Sequence, residues 1–259
     1  MVTLFADHLH TAIRAARAAG AIHLAYAGRA FGVRSKTTLG DLVTEVDTLA
    51  EAEIRRLLLA DFPEHAILGE EEGLVGEIRE ARWVVDPLDG TVNYAHGFPV
   101  YCVSIGFEQH GERMVGVVYD PTRDELFTAV KGEGAFLNGQ QIQVSTTEPL
   151  ATPALLATGF PYNVAQDARN LDLLRRALAL GLPVRRAGAA ALDLCYVACG
   201  RFDGYWEFGL KPWDAAAGSL IVEEAGGRVS DGQGRPTPYG PMIVASNKVL
   251  HEELLGMLR

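Results

Sequence analysis

Apolar residues recur at helical spacing near the start of the chain. Leu4, Leu9, Ile13, Ala16, Ala19 and Ile22 share one side of a helix predicted over 3–27. Residues 28–40 are polar and glycine-bearing and read as a loop that contains Lys36. A second helix is predicted over 42–59, with Val43, Val46, Leu49, Ile54 and Leu57 near one side. The short runs at 66–69 and 83–86 read as buried strands. Three β-rich stretches follow at 100–109, 114–119 and 125–130, and the segments between them have the composition of hairpin turns. An antiparallel meander is the expectation there. From residue 154 strands and helices alternate: strands at 154–158, 183–186, 203–208 and 241–245, helices at 167–180, 189–199, 212–225 and 247–258. Alternation of that kind implies a sheet with helices packed over it. With no Ser- or Pro-rich linker and no internal repeat, the pattern predicts one layered α/β (α+β) domain over 1–259. Its first half, about 1–145, is mainly antiparallel, its second half runs over about 146–259, and both supply one site.

Composition narrows the function classes. The chain has 259 residues, 48% apolar and 22% charged, with a formal charge of −10. That charge argues against unaided binding to a nucleic-acid backbone, which needs clustered Lys and Arg. It remains compatible with an anionic substrate when metal ions supply the positive charge. No apolar stretch approaches the ~20 residues that span a bilayer, and residues 1–10 lack a basic segment followed by an apolar run. A cytoplasmic protein without a membrane partner is expected. Three cysteines, Cys102, Cys195 and Cys199, fit a reducing compartment, and Cys195 and Cys199, four apart on a predicted helix, read as buried structural thiols. His8 and His10 point to different faces of the first helix, which argues against a metal pair.

Candidate chemistry lies in the acidic motifs. In Asp86-Pro87-Leu88-Asp89-Gly90-Thr91 an apolar strand ends in two aspartates around a proline. The sequence predicts a sharp turn that aims both carboxylates and the Leu88 carbonyl into one small volume, a donor set suited to Mg²⁺. The alternative is a turn in which Asp89 merely caps a helix. Glu70 stands where the 66–69 strand ends, a position where α/β sheets bind ligands, whereas Glu71 and Glu72 read as a solvated loop. Asp214 follows Lys211-Pro212-Trp213 at a helix start, where its charge also complements the helix dipole. Asp41 reads as a helix N-cap, with Asp47 two turns further in. Two like charges ~4 Å apart repel by about 4 kcal/mol at an effective dielectric of about 20. Either these motifs are apart in space or they build a multi-metal site. The glycine-bearing stretch 132–139 superficially resembles a phosphate loop, but lacks the following Gly-Lys-Ser/Thr and helix, and reads as a turn between strands.

Gly69-Glu70-Glu71, Asp86–Asn93 and Trp213–Gly218, together with Asp41–Asp47 and Gly226-Gly227, resemble the signature motifs of the inositol monophosphatase family. The match follows their order and spacing through nearly the whole chain. The resemblance implies an αβαβα sandwich of the inositol monophosphatase/fructose-1,6-bisphosphatase type and a Mg²⁺-dependent, lithium-sensitive phosphomonoesterase, commonly a homodimer. It implies that Glu70, Asp86 and the Leu88 carbonyl hold one ion and that Asp86, Asp89 and Asp214 hold a second. A third, more hydrated ion would sit near Glu70, and Mn²⁺ is an alternative to Mg²⁺. Gly90 and Thr91 would offer backbone N–H groups to the phosphate. The Thr91 hydroxyl, with Asp47 or Glu70 as proton acceptor, would orient the attacking water. Lys36 would lie in a loop over the site.

The resemblance also bears on the substrate. Glu207 matches the glutamate with which inositol-specific relatives accept hydrogen bonds from hydroxyls, and a carboxylate can accept from two vicinal hydroxyls. A solvent-facing strand-end glutamate is the alternative. The 188–191 stretch, Gly188 and Ala190 in particular, would bring backbone groups to the ring, although Ala189 stands where many relatives have threonine. Val92-Asn93-Tyr94 replaces the Lys-Glu-Phe pattern of the adenosine-phosphate branch. The expected substrate is myo-inositol 1-phosphate. The alternatives are fructose 1,6-bisphosphate, 3′-phosphoadenosine 5′-phosphate or histidinol phosphate, or a regulatory protein that retains the fold.

Overall fold

The computed structural model describes residues 4–29, 33–35, 42–78, 80–148, 154–161 and 168–258. Helix α1 (Ala6–Tyr26) is followed by the short strands β1 (Val33–Ser35) and β2 (Leu42–Thr44), then by α2 (Glu45–Asp61). Strands β3 (Ala66–Gly69), β4 (Gly73–Val75) and β5 (Ala81–Asp89) lead into the one-turn helix α3 (Thr91–Ala95). The predicted meander follows as β6 (Cys102–Gln109), β7 (Glu112–Asp120) and β8 (Glu125–Val130), extended by β9 (Gly134–Leu137) and β10 (Gln140–Ile142). The alternating part comprises β11 (Leu156–Thr158), α4 (Arg169–Ala179), β12 (Val184–Arg185), α5 (Ala190–Ala198), β13 (Gly204–Phe208) and α6 (Pro212–Glu224). It ends with β14 (Arg228–Asp231), β15 (Met242–Ser246) and α7 (His251–Leu258).

An eight-stranded sheet runs β10-β9-β8-β7-β6-β5-β3-β4, and every pair in it is antiparallel except β3 with β5. A five-stranded sheet runs β12-β11-β13-β15-β14, parallel around β11 and antiparallel around β15. Helices α1 and α2 cover one face of the larger sheet, α5 and α6 lie between the sheets, and α4 and α7 pack together beyond the smaller one. The order of layers is αβαβα. One apolar cluster ties α5 and α6 to both sheets, through residues such as Leu194, Ile221, Phe127 and Tyr205. Glycine makes the closest of these approaches possible. A Cβ on Gly116 of β7 would lie 2.7 Å from the Ala217 carbonyl oxygen of α6, and one on Gly106 of β6 2.9 Å from Ala216 Cβ.

Several expectations need correction. The second helix opens at Glu45 because Leu42–Thr44 pairs antiparallel with Val33–Ser35 and Thr44 supplies the cap. Asp47 therefore lies in the first helical turn, and Asp41, like Lys36, falls outside the described residues. Strand β14 was absent from the sequence pattern, since Arg228–Asp231 presents only one strongly apolar residue. The 132–139 stretch forms β9 and its flanking turns, and the N–H groups of Gly132 and Gly134 bind the Glu224 carboxylate at 2.8 and 2.9 Å. Cys102, Cys195 and Cys199 are free thiols, the first two buried. His8 stacks on Phe62 at 4.2 Å between centroids, within an aromatic cluster that includes His65, Trp83 and Phe107.

Candidate active site

Strand β5 does not end at Asp86, as its apolar pattern suggests, but continues to Asp89 through a bulge. Asp86 faces Ser104 and Asp89 faces Cys102, so Pro87 and Leu88 form the irregular step. Proline has no N–H for the ladder, and the Leu88 N–H turns back to Asp86 Oδ1 at 3.0 Å. The chain bends only at Gly90, with φ at +92°, where a Cβ would also lie 2.8 Å from the Val100 carbonyl. Asp89 is fixed from far along the sequence: the Ala191 N–H of α5 donates to its Oδ2 at 2.7 Å.

A second construction holds Asp47. The Thr44 backbone N–H and hydroxyl both donate to Asp47 Oδ2, at 2.8 and 2.6 Å, while Thr44 Oγ1 accepts from the Val46 N–H. This N-cap leaves Oδ1 of Asp47 for the Thr91 hydroxyl, 3.0 Å away. Thr91 Oγ1 also lies 3.0 Å from the Leu88 carbonyl, so one hydroxyl proton chooses between two acceptors. Burial raises the Asp47 carboxyl pKa, against the hydrogen bonds from Thr44 and Thr91 that lower it. The turn after β3 is held by Glu51, buried in α2, whose carboxylate accepts from the Glu71 and Glu72 N–H groups at 2.9 and 3.0 Å.

The second half of the chain closes the site. Asp214 lies in the first turn of α6 and accepts from the Lys211 N–H at 2.6 Å. Glu207 of β13 is 9% exposed and accepts a hydrogen bond from the Tyr205 hydroxyl. Gly159 leaves room for this carboxylate, because a Cβ there would meet Glu207 Oε2 at 2.0 Å. Asn93 bridges the halves, its Nδ2 donating to the Val100 and Ala187 carbonyls at 2.8 and 2.9 Å.

Glu70, Asp86, Leu88, Asp89, Gly90, Thr91, Gly188, Ala190, Glu207 and Asp214 all line one cavity of about 630 Å³. Ligand pockets are ordinarily of this size. Burial is the main cause that pushes the Asp86 and Asp214 carboxyls well above the usual range, and the charges of neighbouring carboxylates add to it. Asp89 and Glu207 are pushed up to about 7 by burial, with the Ala191 N–H and the Tyr205 hydroxyl working against the shift. The neighbouring Glu70 carboxylate is among the charges that raise Asp86. Among the described residues, no group of three His, Cys, Asp or Glu is already gathered for an ion; the acidic groups stand around the cavity. The donor set is all oxygen, buried and mutually repelling, and it fits hard cations such as Mg²⁺. Bound cations would offset the mutual repulsion of these buried carboxylates.

Of the residues singled out in the sequence, Asp47 borders this constellation through Thr91, and Lys36 is not described. Backbone at 188–191 was expected to serve a substrate ring; its Ala191 N–H is instead spent on Asp89. Sequence reasoning overlooked Glu51, which reads as one more polar residue of a helix, and Arg186, Lys211 and Phe208, which also line the cavity. Arg186 and Lys211 were visible only as cations flanking motifs.

Two sheets layered with helices around an acidic cavity of about 630 Å³ give the layered α/β architecture and the oxygen-rich site of a metal-dependent hydrolase class. A model of the inositol monophosphatase family matches residues 6–259, and the chain belongs to that family. It is 47% identical over 249 residues to the inositol-1-monophosphatase of Synechocystis sp., covering 95% of this chain and 86% of that protein. It is 48% identical over 231 residues to the Nus factor SuhB of Pseudomonas aeruginosa, covering 86% and 84%. The solved inositol monophosphatase from Anabaena superposes with a TM-score of 0.87 at 40% identity, covering 99% of this chain and 96% of that one. A solved IMPase/NADP phosphatase complexed with Mg²⁺ and phosphate gives 0.78 at 30% identity, covering 88% and 85%.

Proposed function

We propose that the chain, acting over 1–259 as one unit, hydrolyses phosphate monoesters of inositol, myo-inositol 1-phosphate foremost. The observation that carries this reading is that Glu207, a buried carboxylate able to accept from vicinal hydroxyls, lines the same cavity as the acidic set and Thr91. Glu70, Asp86 and the Leu88 carbonyl would hold one Mg²⁺, and Asp86, Asp89 and Asp214 a second. A third, or Mn²⁺ in place of Mg²⁺, belongs to the same reading. Bound there, the ions lower the pKa of water and offset phosphate charge.

The protein groups supply position and proton traffic. With the Thr91 hydroxyl donating to Asp47 Oδ1, the free lone pairs of Thr91 Oγ1 accept from the attacking water and fix its direction. Thr44 makes this reliable by occupying the other Asp47 oxygen. Glu70 is the alternative acceptor. Gly90 and Thr91 present backbone N–H groups to the phosphate, and the 188–190 backbone with Glu207 and Asp214 addresses the polyol. Lys36 would close over the site. Lithium sensitivity, a homodimer and a cytoplasmic location complete the proposal; among the described residues no helix is long and apolar enough to cross a membrane.

The test is phosphate release from D- and L-inositol 1-phosphate beside fructose 1,6-bisphosphate and 3′-phosphoadenosine 5′-phosphate, with Mg²⁺, with and without lithium. A lithium-inhibited preference for the inositol ester supports the reading. Preference for another ester keeps the metal chemistry and moves the substrate. A second reading follows from relatives named Nus factor SuhB, at 48% identity in one case: this chain also serves as a Nus factor through its surface. Asp86→Asn separates the two, because it would abolish hydrolysis and leave a surface role intact. Direct contact with nucleic acid is not part of either reading, given the charge of −10.

A further inference from the structure

Behind the acidic cavity lies a second one, of about 380 Å³, between α4, α7 and the segment joining β14 to β15. Its lining includes Arg169, Arg176 and Arg235, with Leu173, Phe208 and Met242 among its apolar residues. Three guanidinium groups around one cavity stand out in a chain with only 23 Lys and Arg against 33 Asp and Glu. Two carboxylates also line it: Asp231 neutralises Arg235 within the cavity, and Asp172 leans toward Arg175 outside it. Asp231 is buried and bound to the Arg235 Nε at 2.6 Å and to the Gln233 and Arg235 N–H groups. Asp172 lies 3.8 Å from Arg175. Arg176 has no hydrogen-bond or ion-pair partner among the described residues, so one positive charge is left over at the cavity. Arg169 and Arg176 are two helical turns apart on α4, with Leu173 between them on the same face.

Phe208 lines both this cavity and the acidic one. The Arg169 guanidinium lies over its ring, 4.6 Å from the centroid. Alternation along β13 turns Phe208 away from its neighbour Glu207, yet the two are joined through one peptide bond. A ligand that moves Arg169 therefore also loads the ring beside Glu207.

We propose that the second cavity binds a small organic phosphate with an apolar body, and that its occupant acts on the acidic cavity through Phe208. The forked guanidinium of Arg176 matches phosphate oxygens in geometry as well as charge, and Arg169 and Arg235 keep the surrounding wall basic. Leu173, Phe208 and Met242 receive the carbon skeleton, and the cavity volume admits a molecule of phenyl phosphate to nucleotide size.

The probe is phenylphosphonate, whose C–P bond the enzyme does not hydrolyse, titrated into metal-free protein by phosphorus NMR. Saturable binding below about 10 mM is expected. Arg176→Glu should weaken it at least tenfold and Arg176→Lys less, while Lys211→Ala, in the acidic cavity, changes it less than twofold. With Mg²⁺ and p-nitrophenyl phosphate, phenylphosphonate should inhibit the wild type in mixed fashion and Arg176→Glu competitively, with that variant's kcat and KM otherwise unchanged. Absence of saturable binding, unchanged affinity in Arg176→Glu, or loss of binding in Lys211→Ala would overturn the site. Purely competitive inhibition of the wild type would overturn the coupling. The binding arm needs no catalysis, so its failure is distinct from failure of the phosphatase reading.

Discussion

Replacing Gly159 by alanine tests the assignment of Glu207 without touching it. The backbone at Gly159 is not in the left-handed region, so alanine brings no torsional strain of its own. The added Cβ would lie 2.0 Å from Glu207 Oε2 and 2.3 Å from Cδ. Ordinary contact distances start near 3.4 Å, so the carboxylate must retreat by more than an ångström and release the Tyr205 hydroxyl. Overpacking costs about 1–3 kcal/mol and stranding the buried hydroxyl about 1–3 kcal/mol. The glycine-to-alanine entropy gain returns about 0.4–1 kcal/mol. A net loss of about 1–5 kcal/mol is expected by urea denaturation. In catalysis, a lost hydrogen bond to a charged group is worth about 1.5–3 kcal/mol, equivalent to about ten- to 150-fold. That loss should fall on kcat/KM for inositol 1-phosphate and spare p-nitrophenyl phosphate, which has no hydroxyls for Glu207. Glu207→Gln should give the same substrate-selective pattern with little loss of stability. If Gly159→Ala lowers both substrates equally, Glu207 does not read the polyol and the reasoning fails.

Thr91→Ala should lower kcat by about 10²–10⁴ with KM within a few-fold, since it removes the group that passes a proton toward Asp47; an unchanged kcat in steady-state assays would remove Thr91 from the water-orienting role. Mg²⁺ should raise the melting temperature, corresponding to about 2.7 kcal/mol at a hundredfold excess over Kd. Asp86→Asn should melt higher than wild type without metal, because it relieves carboxylate repulsion, and should lose most of the Mg²⁺ increment; a lower metal-free melting temperature contradicts the repulsion. His251 is buried between the Ser230 and Ser246 hydroxyls, and burial lowers its pKa to about 4. Its folded pKa is depressed, so the unfolded chain binds the extra proton and stability drains as pH falls from about 6.5 toward 4. Because Asp89 and Glu207 titrate in the opposite sense, the comparison is with His251→Gln: the stability advantage of wild type should shrink by about 2 kcal/mol between pH 7 and pH 5. An advantage independent of pH refutes it.

Much of the fold was written locally. The meander at β6–β8 and the alternating second half follow from periodicity and turn composition, and each acidic motif stands at the end of a strand or the start of a helix. What escaped was set by distant partners. Leu42–Thr44 carries no signal that separates a strand from a first helical turn, and only pairing with Val33–Ser35 decides it. Asp86–Asp89 reads as a turn because a bulge depends on the neighbouring strand, here Ser104 and Cys102. The Ala191 N–H that holds Asp89 belongs to an alanine without any side-chain signature. Glu51 looked like a surface helix residue; only the fold reveals that two N–H groups of the Glu70 turn point at it.

The seat of α6 on Gly106 and Gly116 also constrains the order in which the molecule can be made. A nascent chain displays Glu70, Asp86 and Asp89 long before Asp214 exists, and the larger sheet keeps an open face until residue 224 has emerged. Contacts that bridge more than a hundred positions are slow to close. During synthesis the half-built chain therefore carries β6 and β7 without the helix that packs on them, and an acidic constellation without Asp214. A chain that stops anywhere before α6 lacks in one stroke a wall of the site and the cover of the larger sheet.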